Sequence, residues 1–197
     1  MKDELYRGKY RIKSIRLREW DYSADGYYFI TICTKDRIEW FGEIKNEMMG
    51  LNEIGCIVAK CYQEIPNIFP NAKLDEWQIM PNHMHGILVI DNEMLRKNHS
   101  SSPVETRRGA SLRGTETPKY NRFGPLIPNS LSSMINHFKG AVTKWCRKNG
   151  YPDFAWQPLF YDHIIRTEND LNRIRQYIID NPFNWERDRN KPKNLWM

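Results

Sequence analysis

Short runs of β-branched and aromatic residues, separated by polar turn residues, predict the strands of this chain. The runs cover residues 27–34, 38–44, 73–80, 83–90 and, as a strand or a loop, 156–166. The stretch TKDR predicts that the first two strands form a hairpin. Pro81 and Asn82 predict a tight turn or a β-bulge between the next two strands.

In three other stretches the apolar residues recur at helical spacing, which predicts amphipathic helices. These stretches are residues 51–65, 131–150 and 167–182. Residues that favour the N-cap position stand at their starts, namely Asn52, Ser130 or Ser132, and Thr167. Residues that stop helices stand at their ends, namely Pro66, Gly150 and Pro182.

The predicted order is β-β-α-β-β-α-β-α, with a polar insertion before the second helix. Hairpins that alternate with helices indicate an α+β fold with an antiparallel sheet and helices packed on one face. The ferredoxin-like arrangement fits this order best. Residues 92–122 are rich in Ser, Thr and Arg and lack an apolar period, so we expect a flexible insertion within one domain that spans residues 1–197.

The chain has 197 residues, a net charge of +6 and a pI of about 9.1, which favours a polyanionic partner. Residues 1–18 and residues 94–122 each carry seven Lys or Arg against two acids, so nucleic acid is the favoured partner. No apolar run is long enough to span a membrane, and the N-terminus lacks a signal-peptide core, so we expect a cytoplasmic protein. The four cysteines show no CxxC spacing and are expected to be reduced thiols.

Candidate chemistry begins with MPNHMHGILVI, in which two histidines stand one residue apart. His83 and His85 on a strand point to the same face, and Met84 and Gly86 point to the other face. Two imidazoles on one face can form half of a metal site. Taken alone, the HxH pattern equally fits histidines that serve as polar residues at the edge of a strand.

The last predicted helix carries the second candidate group. Tyr177 and Asn181 are spaced i and i+4, so they share one face of this helix, with Arg173 one turn earlier. Ile174 and Ile178 form an adjoining stripe that can pack down. The structural alternative is a surface tyrosine with an asparagine that ends the helix before proline.

Together these residues indicate phosphoryl chemistry. A cation held by two imidazoles and an amide oxygen keeps positions open for phosphate oxygens. A phenol has an ordinary pKa near 10 and is a poor nucleophile unaided, but a nearby cation favours the phenolate. Attack on a phosphodiester would leave a covalent phosphotyrosine, a step that can be reversed to join DNA.

Two segments resemble a known family. PNHMHGILV resembles the His-hydrophobic-His motif of the single-tyrosine transposases. WQPLFYDHIIRTENDLNRIRQYIIDNP resembles the C-terminal signature of their REP-associated tyrosine transposase branch. The likeness covers roughly residues 20–90 and 125–185, with both motifs in the order of the family.

This resemblance implies a ferredoxin-like fold, with His83 and His85 as ligands of Mg²⁺ or Mn²⁺. Tyr177 would be the nucleophile that forms a 5′-phosphotyrosine link to single-stranded DNA, and Asn181 would stand where many relatives outside the branch carry a Gln as third ligand. Relatives of the branch process hairpin-forming repetitive elements, and some are domesticated. The smaller relatives form dimers and the branch looks more monomeric, so a monomer or a homodimer is expected.

Five residues are candidate DNA contacts: Tyr161, Arg166 and Arg173 near the last helix, and Arg107 and Arg108 in the insertion. His163 fits either a position near the metal or, as we prefer, a structural hydrogen bond. Core packing is the expected role of Trp156. Two other functions stay open, a non-catalytic nucleic-acid-binding protein on the same fold and a metallohydrolase that activates water.

Overall fold

The computed structural model of the protein describes residues 20–93, 95–96, 126–188 and 190. Its main sheet has four antiparallel strands, which are β1 (Gly26–Cys33), β4 (Ala72–Met80), β5 (His83–Ile90) and β6 (Tyr161–Ile165). Across the sheet they lie in the order β4-β5-β1-β6. With the long helix Glu53–Gln63 between β1 and β4 and the long helix Leu131–Lys148 between β5 and β6, this order is the ferredoxin-like arrangement, and the predicted α+β class is confirmed.

The helices lie close to their predicted positions. They are α1 (Glu53–Gln63), the single turn α2 (Ile65–Ile68), α3 (Leu131–Lys148) and α4 (Glu168–Ile179). The predicted caps Asn52, Ser130 and Thr167 each accept a hydrogen bond from a backbone N–H in the first turn of their helix. No helix in the described part of the chain is both long and apolar enough to cross a membrane.

The two faces of the sheet carry different helices. Tyr28, Ile30 and Ile32 of β1 point into the main core under α1 and α3. Phe29 points to the opposite face, into a smaller core with residues of α4. The predicted packing of helices on one face therefore holds for α1 and α3. Helix α4 packs on the opposite face, because its apolar stripe contacts the alternate residues of β1, β5 and β6. This second covered face is where the candidate chemistry lies.

The predicted hairpin between residues 27–34 and 38–44 is wrong. β1 is a buried central strand that pairs with β5 and β6 instead. The stretch after it forms a short 3-10 turn (Lys35–Arg37), and the hairpin joins β2 (Gly42–Lys45) to β3 (Met48–Leu51). The tight turn between β4 and β5 is confirmed, because Met80 pairs directly with His83. Most of the predicted insertion, residues 97–122, lies outside the described residues.

Candidate active site

His83 and His85 occupy the start of β5, on the face covered by α4. In the sheet register His83 stands opposite Cys33 and His85 opposite Thr31 of β1. Both rings are buried, and their Nε2 atoms lie 3.0 Å apart. Phe29 stacks on the ring of His85 at 5.5 Å between centroids. The strand therefore presents two ring nitrogens to one point beside α4, as the HxH spacing predicts.

Tyr177 reaches the same point from α4. Its hydroxyl oxygen lies 3.3 Å from His85 Nε2, and its ring packs edge-on against His85 and Phe29. The side chain is nevertheless 45% exposed. A phenol in contact with His85 and partly open to solvent is accessible to a large substrate.

Apolar packing and one ion pair hold α4 in this place. Leu171, Ile174 and Ile178 are its buried residues in the smaller core, as the predicted apolar stripe required. Arg175 donates to both carboxylate oxygens of Asp75 on β4, at 2.8 and 2.5 Å. These hydrogen bonds hold the pKa of Asp75 below its ordinary value. Because Arg175 lies two residues before Tyr177, the bidentate pair fixes the helix close to its functional end.

The third candidate ligand at this point, the carboxylate of Asp188, was not predicted. The chain folds back after α4 so that Trp185 is buried, with its ring 6.1 Å from that of His83. Asp188 follows, with its side chain only 6% exposed and Oδ2 at 3.5 Å from His83 Nε2. The ligand atoms of His83, His85 and Asp188 all lie within 4.8 Å of one another. In the sequence, Asp188 stands in the charged stretch NWERDRN, and only the buried Trp185 signals that this stretch folds back.

Asn181, the residue predicted as third ligand, lies in the turn that follows α4. Its side chain is buried, and its Oδ1 has no hydrogen-bond partner among the described residues. Its backbone N–H donates to the carbonyl of Ile178. A buried amide oxygen normally has a partner, so this atom is a further candidate ligand, and its role stays a prediction.

The donor set fits a divalent cation. Two imidazole nitrogens and one carboxylate oxygen are ordinary ligands of Mn²⁺ and of other first-row metals. Two ligands held at right angles about 2.1 Å from one cation stand about 3.0 Å apart, which matches the separation of the two Nε2 atoms. His83, His85 and Asp188 can therefore hold a metal.

The other ring nitrogens of both histidines contact polar side chains. His83 Nδ1 lies 2.9 Å from Asn82 Oδ1, and His85 Nδ1 lies 2.9 Å from Thr31 Oγ1. Histidines that bind metals usually have such a partner, which fixes the ring orientation and the tautomer. The arrangement leaves Nε2 of each ring as the atom that faces Tyr177 and Asp188.

The predicted DNA contacts are distributed unevenly. Tyr161 is 36% exposed and pairs with Thr31 in the row of the sheet that also contains His85, so it flanks the candidate site. The guanidinium of Arg166 lies over the ring of Trp20 at 5.6 Å, and that of Arg173 is 2.6 Å from a carboxylate oxygen of Asp170. The other two candidates, Arg107 and Arg108, lie outside the described residues.

Two further predicted roles agree with the structure. His163 Nε2 lies 2.8 Å from an oxygen of Asp170, which ties β6 to the start of α4 and supports the structural role. Arg173 first, and His163 second, hold the pKa of Asp170 below its ordinary value. Trp156 is buried in the main core with Phe138, as expected for core packing.

Comparisons with known proteins place the chain among relatives. A protein of Haemophilus influenzae, described only as uncharacterized, is 39% identical over 181 residues, which is 92% of this chain and 93% of that protein. No protein-family model matches the chain.

Two solved structures are similar in fold. A REP-associated tyrosine transposase bound to a REP hairpin matches over 86% of this chain and 73% of the transposase chain, with a TM-score of 0.53 and 19% identity. A second structure, of a putative transposase from Deinococcus radiodurans, matches 84% of this chain and 95% of the transposase chain, with a TM-score of 0.42 and 14% identity. The chain thus belongs to one family with the Haemophilus influenzae protein and has the fold of the REP-associated tyrosine transposase that its motifs resemble.

Proposed function

We propose that the protein is a metal-dependent single-stranded DNA transposase or endonuclease that cleaves and rejoins DNA through a covalent 5′-phosphotyrosine. One observation carries the proposal. The hydroxyl oxygen of Tyr177 lies 3.3 Å from His85 Nε2, beside a second histidine and the carboxylate of Asp188. An exposed phenol and a three-residue ligand set at one point are the parts that this chemistry requires.

His83, His85 and Asp188 would hold Mg²⁺ or Mn²⁺, with the buried amide oxygen of Asn181 as the further candidate. Such a cation, when bound, withdraws charge from a phosphodiester and stabilises the phenolate form of a neighbouring tyrosine. The ion pair between Arg175 and Asp75 keeps α4 docked, so the phenol stays beside the ligands.

The covalent step is a single displacement at phosphorus. The oxygen of Tyr177 forms a bond to the phosphorus of the scissile phosphodiester, and the bond from phosphorus to the 3′ oxygen of the leaving strand breaks. The phenol proton passes to water, and the departing 3′ oxygen takes a proton from water. The tyrosine then carries the 5′ phosphate of the DNA. Attack by a 3′ hydroxyl reverses the same exchange and joins the strands.

The substrate we propose is single-stranded or hairpin DNA from repetitive elements. A phenol that is 45% exposed admits a chain of nucleotides, and Tyr161, whose ring contacts the same Phe29, offers a ring on which a base can stack. The net charge of +6 favours a polyanion. The solved structure of similar fold is described as bound to a REP hairpin, which supports a DNA hairpin as the first substrate to test.

The test is an adduct assay with end-labelled hairpin DNA and Mn²⁺. We expect a covalent protein–DNA species that is absent with EDTA and absent in Tyr177→Phe. The phenylalanine ring keeps the packing against Phe29 and His85, so this variant should remain folded. The matched control is Tyr151→Phe, because Tyr151 hydrogen-bonds Glu53 away from the site.

The control variant should form the adduct as the unmodified protein does. Equal adduct in the protein and in Tyr177→Phe would contradict the proposal. DNA binding that survives EDTA and His83→Ala with no adduct on any of several hairpins would instead support the non-catalytic nucleic-acid-binding protein. Cleaved DNA without a protein-linked species would support a hydrolase that activates water.

A further inference from the structure

We propose that Asn82 is a positioning residue that fixes the tautomer of His83 and, with the same amide group, seats the C-terminal segment that carries Asp188. The proposal rests on the proposed function in so far as His83 and Asp188 are ligands. Its first consequence, the tautomer of His83, concerns the protein without metal and can be measured independently.

The orientation of the Asn82 amide is determined by its surroundings. The side chain is completely buried, and its nitrogen donates to the backbone carbonyls of Arg37 and Asn190 at 2.9 and 2.8 Å. Carbonyl oxygens only accept, so the group that faces them must be the NH₂ group. The amide oxygen therefore faces His83 Nδ1 at 2.9 Å.

This orientation dictates the state of the His83 ring. The amide oxygen only accepts, so the Nδ1 atom of His83 must carry a proton and donate it. In the neutral ring the Nε2 atom then carries the lone pair. That atom lies 3.0 Å from His85 Nε2 and 3.5 Å from the Asp188 carboxylate, at the point where a cation would bind.

His85 is held differently. Its Nδ1 lies 2.9 Å from the hydroxyl of Thr31, and a hydroxyl both donates and accepts. Thr31 therefore permits either tautomer of His85. The Asn82 amide thus dictates the tautomer of His83, whereas the contact with Thr31 alone does not dictate that of His85.

The same amide holds the segment around Asp188. The backbone N–H of Asn190 donates to one oxygen of Asp188 at 2.6 Å, while the carbonyl of Asn190 accepts from Asn82. The other Asp188 oxygen is the one nearest His83. Loss of the Asn82 amide would thus remove the hydrogen bond that fixes the tautomer of His83. It would also remove the hydrogen bond that holds the segment carrying Asp188.

The test compares Asn82→Ala with a control at another buried asparagine. Asn71 is 1% exposed, and its nitrogen donates to Asn92 and to the carbonyl of Asn129, in contacts remote from β5's histidines. Asn71→Ala therefore removes a comparable pair of buried hydrogen bonds and leaves the site intact. Asn82→Asp is the second variant, because it keeps the size of the side chain and an oxygen that faces His83.

Two measurements are made on each protein. Histidine ¹⁵N–¹H correlation spectra of the metal-free protein, recorded at a pH at which the spectrum itself shows a neutral His83 ring, report which nitrogen carries the proton. Mn²⁺ titration reports the Kd of the metal alone. We expect His83 to be Nδ1-protonated in the unmodified protein, in Asn82→Asp and in Asn71→Ala, and to lose this signature in Asn82→Ala. The Mn²⁺ Kd of Asn82→Ala should rise about 10- to 100-fold, and that of Asn71→Ala should stay unchanged.

The results separate this proposal from the proposed function. An unchanged His83 signature and a Kd within about twofold in Asn82→Ala would overturn the role of Asn82. A neutral His83 ring with its proton on Nε2, in Asn82→Asp or in the unmodified protein, would overturn it as well. If Asn82→Ala does not fold, the signature in Asn82→Asp alone decides. A protein that shows the Nδ1–H form but binds no Mn²⁺ would support Asn82's hold on His83 while contradicting the metal-dependent function.

Discussion

Gly86, directly after the histidine pair, lies where strand β5 approaches a tyrosine of α1. A Cβ atom added at Gly86 would lie 2.4 Å from the hydroxyl oxygen of Tyr62, 3.0 Å from its Cζ and 3.3 Å from Trp77 Cβ. Tyr62 is completely buried in the main core, so its ring has little room to withdraw. We therefore predict that Gly86→Ala destabilises the protein, although a strand is ordinarily more stable with alanine than with glycine.

The magnitude follows from two opposed effects. Overpacking of a closed core by one methyl group costs about 1–3 kcal/mol. Replacement of glycine by alanine returns about 0.5–1 kcal/mol of backbone entropy. The two ranges give a net loss of up to about 2.5 kcal/mol in the free energy of unfolding, with a midpoint near about 1 kcal/mol. For a domain of this size a loss of about 1 kcal/mol lowers the Tm by about 2–4 °C.

A double-mutant cycle with Tyr62→Phe isolates the contact. Within the described part of the chain the Tyr62 hydroxyl has no hydrogen-bond partner, so its removal alone should be neutral or stabilising. In the Tyr62→Phe background the nearest atom to the new Cβ becomes Cζ at 3.0 Å, and Gly86→Ala should cost at most half as much. Urea denaturation of the four proteins gives the coupling free energy. An equal cost of Gly86→Ala in both backgrounds would refute the clash with the hydroxyl.

Two further predictions concern the ligand set and the docking of the last helix. Asp188→Asn should weaken Mn²⁺ binding at least tenfold by calorimetry, because it removes a candidate carboxylate ligand. Glu186→Gln makes an equal change of charge on an exposed residue two positions earlier and should leave the Kd unchanged. Equal losses of affinity in both variants would point to net charge instead of coordination. For Asp75 the pKa is lowered by Arg175, so its contribution to stability is complete above the unfolded-state value of about 3.9 and is lost as the pH falls through the lower folded-state value. Asp75→Asn should therefore reduce stability at neutral pH and flatten the loss of stability below about pH 4, and an unchanged acid profile would argue against the ion pair.

The hydrophobic pattern predicts most of the fold because local signals and the sheet agree. The runs at 27–34, 73–80 and 83–90 correspond to strands β1, β4 and β5, within one residue at each end. The three predicted helix caps also act where the sequence places them. The observed hairpin between β2 and β3 could not be predicted in this way. Its turn residues, Asn46 and Glu47, both adopt positive φ, of 49° and 63°, and glutamate gives little sign of such a turn.

The candidate site shows the same limit. The spacing of His83 and His85 on a strand, and the position of Tyr177 on the last helix, predict residues that the structure brings within hydrogen-bonding distance. Asp188 was missed because it lies after the last regular helix, in a charged stretch that resembles a solvated surface. Its placement depends on long-range contacts, above all the bond from Asn82 to the carbonyl of Asn190, which no local pattern encodes.

The central claim is that Tyr177 is the nucleophile at a site formed by His83 and His85. Tyr161 supplies the best comparison, because it is also exposed and lies in the same row of the sheet as His85. The most direct measurement is tandem mass spectrometry of peptides from the protein after incubation with hairpin DNA and Mn²⁺ and digestion of the DNA. We predict one nucleotide-linked peptide, with the phosphate on Tyr177. A phosphate on Tyr161, or a linked Tyr177 peptide that forms equally in His83→Ala with EDTA, would contradict the account.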